Sequence, residues 1–263
     1  MKQGPQRIVR VMTDEGPQHG VVVDEHVHAL QGDLFGSWEV TGRLGRLGSV
    51  PLLAPVVPSK IIAVGLNYRA HAVESSMEIP SEPLLFFKPP SAVIGPDAKI
   101  ILPPQSERVD YEAELAVVIG RACRNARVDE AWSYVLGVTC GNDVTARDLQ
   151  RQDDQWTRAK GFDTFCPLGP WILTDLREDA IDDLEVVSRV NGQVRQSDHT
   201  SQMVFSVPEL IAYASSVMTL EPGDVILSGT PEGVGPLSVG DVVEVEVETI
   251  GILRNHVASD GGR

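Results

Sequence analysis

Glu112 and Glu114 flank one alanine at the head of an apolar run, Leu115-Ala116-Val117-Val118-Ile119. The run reads as a strand, in which residues two apart share a face, so the carboxylates stand side by side roughly 6.5 Å apart along the chain. Neighbouring carboxylates repel, and burial sharpens the conflict. Either one of them holds a proton or a cation sits between them. A hard divalent ion, Mg2+ or Mn2+, suits an all-oxygen site. A solvated acidic edge is the plainer alternative.

Asp143 supplies a third carboxylate at the end of Gly137-Val138-Thr139-Cys140-Gly141-Asn142, which also reads as a strand. Three carboxylates around a dication leave positions open for water and a bidentate ligand, as a catalytic centre requires. Asp143 has another use, capping the next turn and pairing with Arg147 four residues on.

His71 and Glu74 stand at i and i+3, neighbours if the segment is helical. Glu74 would then fix the imidazole tautomer, the orienting role a general base needs. A surface helix with an incidental histidine explains the spacing equally. Lys160 lies beside Gly161 and Phe162, where partial burial would let it hold a carboxylate or oxyanion; plain exposure is the alternative. Ser228-Gly229-Thr230-Pro231-Glu232-Gly233-Val234-Gly235 lacks the lysine of a P-loop and the pattern of a nucleophile elbow. Close backbone approach to a small ligand is its functional use, a turn cluster its structural one.

These residues need a scaffold. The 263 residues suffice for one large domain, or one domain with an appendage. Residues 1–57 read as a small β-containing N-terminal domain, with strands at 8–11 and 20–23, a loop at 41–48 and a proline-stiffened connector through Pro51, Pro55 and Pro58. Residues 58–263 form the main body: a buried strand at 60–65, a helix over 129–136, and a helix opened by the box Ser206-Val207-Pro208-Glu209. That second helix carries Leu210, Ala214 and Val217 on one face. Valines alternating with glutamates from Val243 to Glu248 give a half-buried strand. The class is β-rich α+β.

With 22 basic and 37 acidic residues the net charge is −15. That excess disfavours nucleic acid and anionic membranes, both of which need clustered cations. Cys123, Cys140 and Cys166 form no CxxC pair and fit a reducing compartment. No apolar stretch approaches a membrane span or the core of a signal peptide, so a cytoplasmic protein is expected.

Six segments, in this order, resemble the fumarylacetoacetate hydrolase family. They are Gly65-Leu66-Asn67-Tyr68 with His71 and Glu74, Phe87-Lys88-Pro89, Tyr111-Glu112-Ala113-Glu114-Leu115, Asn142-Asp143-Val144-Thr145-Ala146-Arg147-Asp148, Lys160-Gly161-Phe162-Asp163, and Gly229-Thr230-Pro231-Glu232-Gly233-Val234-Gly235. The likeness spans about residues 58–257 and is strongest to hydroxyhepta-dienedioate isomerases and oxopent-ene-tricarboxylate decarboxylases of bacterial aromatic catabolism. It implies a mixed β-roll, usually homodimeric, with Mg2+ or Mn2+ on Glu112, Glu114 and Asp143. It further implies His71 and Glu74 as a water-activating pair on a segment that orders over substrate. Lys160 would be an oxyanion or carboxylate partner, with Tyr68, Lys88, Arg147, Gly229 and Thr230 toward the substrate.

The expected activity is that of a metal-dependent enzyme working on a small anionic 2-oxo acid through a metal-bound enolate. Hydrolytic C–C cleavage of an acylpyruvate comes first. Isomerisation or decarboxylation of a dienedioate or oxaloacetate-type substrate comes second. A ligand-binding protein on the same fold stands as the alternative of another class.

Overall fold

A computed structural model describes residues 4–261. Strands dominate it, in three sheets among the described residues. The largest has twelve strands, running from Trp38–Arg46 at one edge through three more N-terminal strands to Cys166–Thr174, Val135–Asn142, Ala113–Ile119, Val225–Leu227 and Ile61–Gly65. Leu84–Lys88 forms the other edge. A five-stranded sheet carries Val242–Val247 at its centre, and a three-stranded one joins Val109–Tyr111 to Thr145–Ala146 and Gly235–Pro236.

Strand Ala113–Ile119 explains why its sequence is apolar without alternation. Its odd positions, Ala113, Leu115, Val117 and Ile119, enter a core shared with helix Val207–Val217 and the five-stranded sheet. Ala116 and Val118 enter a second core with Leu168, Ile172 and Leu227. Both faces are covered, so both must be apolar. Glu114 shares the parity of Ala116 and Val118, and Glu112 falls in the break between Val109–Tyr111 and Ala113–Ile119. Both carboxylates thus sit where the second core gives way to a cavity.

The first strands extend the main sheet, because Gln6–Thr13 pairs antiparallel with Cys166–Thr174. Of the N-terminal unit expected over 1–57, residues 1–3 lie outside the described residues.

Three expectations need correction. Of the loop expected over 41–48 only the end holds: residues 41–46 belong to strand Trp38–Arg46, which pairs with His26–Gly32, and 47–48 form the turn after it. Its side chains are mostly exposed, so no hydrophobic periodicity marked it. The helix over 129–136 is a single turn, Val128–Ala131, continued by a 3-10 turn to Tyr134. Val135 and Leu136 belong to the next strand, whose pairing with Ala113–Ile119 outweighs a local helical preference. Helix Val207–Val217 starts with the Ser206 amide on the Glu209 carboxylate, but Val217 faces solvent and Ile211 takes its place in the core. No helix among the described residues is long and apolar enough to cross a membrane.

Candidate active site

The antiparallel register builds the acidic centre. Ala113 lies opposite Asn142 and Glu114 opposite Gly141, so the chain leaving each strand carries Glu112 and Asp143 past one another. The Asp143 amide donates to the Glu112 carbonyl at 2.9 Å, and the Asn142 side-chain oxygen accepts the Glu112 amide at 2.9 Å. Oxygens of Glu112, Glu114 and Asp143 lie within 4.8 Å of one another, and all three residues are buried. The set suits a hard dication: all oxygen, three negative charges, room on the cavity side.

Cations surround the acids. Lys160 Nζ donates to Glu112 at 2.8 Å and to Asp143 at 2.6 Å. Lys88 Nζ, behind them, donates to Asp143 Oδ1 at 2.6 Å and to the Val144 carbonyl. Arg147 donates to Glu112 at 2.5 Å, to Asp110 at 2.9 Å and to the Gln150 side-chain oxygen at 2.6 Å. The alternative use of Asp143, pairing with Arg147, gives way to these contacts. Glu114 has a different donor, the Gly229 amide at 2.7 Å.

This asymmetry sets the protonation states. Burial raises the cost of charge at Glu112, but Lys160, Arg147 and His71 more than offset it and hold the carboxyl well below its usual range. At Glu114 burial, then the Asp143 and Glu112 charges, push the carboxyl well up, against the weaker pull of Lys160 and the Gly229 amide. Lys160 is opposed by its own burial, yet Asp143 and Glu112 keep its ammonium charged. A proton on Glu114 and a dication among the three acids are competing answers to one repulsion, so the donor set fits the ion.

The helix Arg69–Glu74 brings the base to the cavity. His71 Nδ1 lies 3.1 Å from Glu74 Oε2, and the Glu74 carboxylate also accepts the Gly233 amide at 3.1 and 3.2 Å. Asn67, just before the helix, donates to the Ser228 and Phe205 carbonyls and accepts the Phe205 amide. Gly229 has φ +100°, and a Cβ there would stand 2.7 Å from Asn67 Cβ. Only glycine lets this loop press against the helix entry while offering its amide to Glu114.

A cavity of about 440 Å³ gathers His71, Glu74, Glu112, Glu114, Asp143, Arg147, Lys160 and Thr230. Tyr68, Lys88 and Gly229 stand outside that lining: Lys88 and Gly229 support carboxylates, and Tyr68 is fully buried with its hydroxyl unpartnered. Thr230 donates to the Ala113 carbonyl at 2.8 Å and accepts from Gln196 at 2.7 Å, so its hydroxyl proton is committed to the protein.

Sequence reasoning missed Gln196, which also accepts the Ala113 amide, because no motif surrounds it. It missed the lining residues Arg108, Asp110, Gln150, Arg151 and Trp156 as well. Asp110 adjoins the acidic pair and Gln150 follows Arg147 by one helical turn, so proximity was their available signal.

Comparison with known proteins bears on this geometry. The family profile described as fumarylacetoacetate (FAA) hydrolase C-terminal matches residues 60–258, and one described as Rv2993c-like, N-terminal matches residues 6–55. An uncharacterized protein of Archaeoglobus fulgidus is 58% identical over 230 residues, covering 84% of this chain and 90% of that protein. The mitochondrial oxaloacetate tautomerase FAHD2A of Bos taurus is 47% identical over 221 residues, covering 79% of this chain and 69% of that protein. The crystal structure of 2-hydroxyhepta-2,4-diene-1,7-dioate isomerase from Mycobacterium marinum superposes with a TM-score of 0.90 at 42% identity, covering 98% of this chain and all, 100%, of that one.

Proposed function

This chain belongs to the fumarylacetoacetate hydrolase family, and we propose that it moves a proton beside the keto group of a small 2-oxo acid, interconverting keto and enol forms. The observation that carries the reading is that the His71–Glu74 pair and the three carboxylates open onto one cavity. The relatives named a tautomerase and an isomerase support it, since both names describe proton relocation with no bond to water.

Mg2+ or Mn2+ held by Glu112, Glu114 and Asp143 would supply Lewis-acid polarisation of the substrate's oxygens, an effect worth several kcal/mol. The remaining work falls to side chains. With its Nδ1 proton on Glu74, His71 keeps the Nε2 lone pair for the cavity and takes the proton from C3. Glu74 is itself fixed by the Gly233 amide, so the ring is held before substrate arrives. The Lys160 ammonium, buried beside Glu112 and Asp143, stabilises negative charge on the enolate oxygen. Phe86 and Trp156, packed edge to face at 5.2 Å, form an apolar wall that limits water. Delivery of that proton from His71 to the enolate oxygen gives the enol, and the reverse sequence returns it to C3 and restores the keto form.

The test follows enol-oxaloacetate by its ultraviolet absorbance, with Mg2+ or Mn2+ supplied, and measures deuterium uptake at C3. Acceleration of both is expected; exchange no faster than in protein-free buffer overturns the reading. A second reading, hydrolysis of an acylpyruvate, draws on the same dyad, because His71 would equally deprotonate a water. That water attacks the C4 carbonyl, the C3–C4 bond breaks, and pyruvate leaves as its enolate. Stoichiometric acetate and pyruvate from acetylpyruvate would favour it.

A further inference from the structure

Helix Arg147–Gln152 presents three side chains to the cavity at i, i+3 and i+4: Arg147, Gln150 and Arg151. They are unequal. Arg147 spends its guanidinium on Asp110, Glu112 and the Gln150 oxygen. Arg108, also in the lining, is bound in a fork to Asp110 at 2.9 and 3.2 Å. Lys160 is held by Glu112 and Asp143. Arg151 alone among the lining cations of the described residues has no acidic or hydrogen-bonding partner in the protein.

It also lies one helical turn beyond Arg147, and Arg147 is the residue that touches the acidic centre. The cavity lining therefore joins three carboxylates to an uncommitted guanidinium set one helical turn beyond the Arg147 that pairs with Glu112. A guanidinium offers a planar fork of donors suited to a carboxylate. On the reading above, a 2-oxo acid places its keto-carboxylate at the acidic end, leaving its far end toward the helix.

Resting on that reading, we propose that Arg151 binds a second, distal carboxylate and makes the site selective for 2-oxo dicarboxylates over 2-oxo monocarboxylates. Arg151 is exposed at the mouth, so its variants keep the core intact, and screening by solvent keeps the effect moderate.

The test compares two ligands that differ only in that terminal group, 2-oxoglutarate and 2-oxopentanoate. Their binding to the Mg2+-loaded protein is measured by calorimetry in wild type, Arg151→Gln and Arg151→Glu. Wild type is expected to prefer 2-oxoglutarate by about two- to fivefold, the worth of an exposed ion pair. Arg151→Gln should collapse that preference and Arg151→Glu should reverse it. In parallel, kcat/KM for oxaloacetate should fall by about two- to fivefold more than that for acetylpyruvate.

An equal loss for both ligands means long-range attraction of anions and overturns the proposal. So does an unchanged preference in the variants, or a wild type that prefers neither ligand. If no 2-oxo acid is turned over, the functional reading fails, while the binding comparison still decides the role of Arg151.

Discussion

His71 Nδ1 and Glu74 Oε2 lie 3.1 Å apart within one helical turn, and the same carboxylate is anchored to a second segment through the Gly233 amide. The pair links the mouth of the cavity to the glycine loop that supports Glu114. Substitutions should separate its two functions. His71→Ala is expected to lower turnover by about 10²–10⁴-fold with Mg2+ affinity nearly unchanged. Glu74→Gln should cost less, because the amide still holds the ring in place. Steady-state kinetics with a metal titration on each variant check this, and a His71→Ala enzyme near full rate would refute the assignment.

Metal affinity should rise with pH. Glu114 is held well above its usual value by burial and by the Asp143 and Glu112 charges, so a proton there competes with an incoming dication. Protonation therefore opposes binding, and raising the pH removes the opposition until Glu114 is ionised by itself. Calorimetry in buffers of different ionisation enthalpy should show proton release on Mg2+ or Mn2+ binding. Glu114→Gln should abolish both the pH dependence and most of the affinity; a pH-independent Kd in the native protein would contradict the scheme.

Stability in the absence of metal follows the opposite group. Burial pushes the Glu112 carboxyl up, but Lys160, Arg147 and His71 more than offset it and hold it below its ordinary value, so its charged form favours the folded state. That contribution is present above the unfolded carboxyl's range and lost as pH falls toward the depressed folded value. Glu114, with a raised value, acts in reverse: its contribution is present at low pH and lost as pH climbs above the unfolded range. Chelated protein should accordingly lose stability on both sides of a mildly acidic optimum, with added Mg2+ restoring the alkaline side. Denaturant midpoints across pH, with and without Mg2+, measure it.

Arg147→Ala should destabilise the fold by about 3–5 kcal/mol, since it strips a partner from two buried acids at once. Arg147→Lys should recover only part, because one ammonium cannot reach Asp110, Glu112 and Gln150 in the guanidinium's geometry. Urea denaturation of both variants tests the ranking.

Gly229→Ala should cost roughly 1–3 kcal/mol through a left-handed backbone position and a methyl forced against Asn67. It should also weaken metal binding by displacing the amide that Glu114 accepts. A variant with wild-type affinity would show that the loop's contact with Glu114 is dispensable.

The acidic centre was legible because chemistry and periodicity agree there: alternate residues on a strand, then a carboxylate where the partner strand ends. His71 and Glu74 were legible by helical spacing. The cationic frame was less so. Nothing local says that Arg147 would take Glu112 and Asp110 instead of Asp143, since that choice depends on how two sheets meet. Gln196 illustrates the limit, being an ordinary polar residue on a mostly exposed strand until its side chain reaches Ala113 and Thr230. Strand Trp38–Arg46 was invisible for the converse reason, lacking any buried face to impose a pattern.

Strand Ala113–Ile119 serves two hydrophobic cores on alternate residues while its leading end carries the acids. Deleting one residue between Glu114 and Val117 would therefore hand each core the side chains meant for the other and turn the carboxylates away from the cavity in the same stroke. The strand that feeds the centre thus fixes its own residue count more strictly than the identity of any one of its apolar side chains.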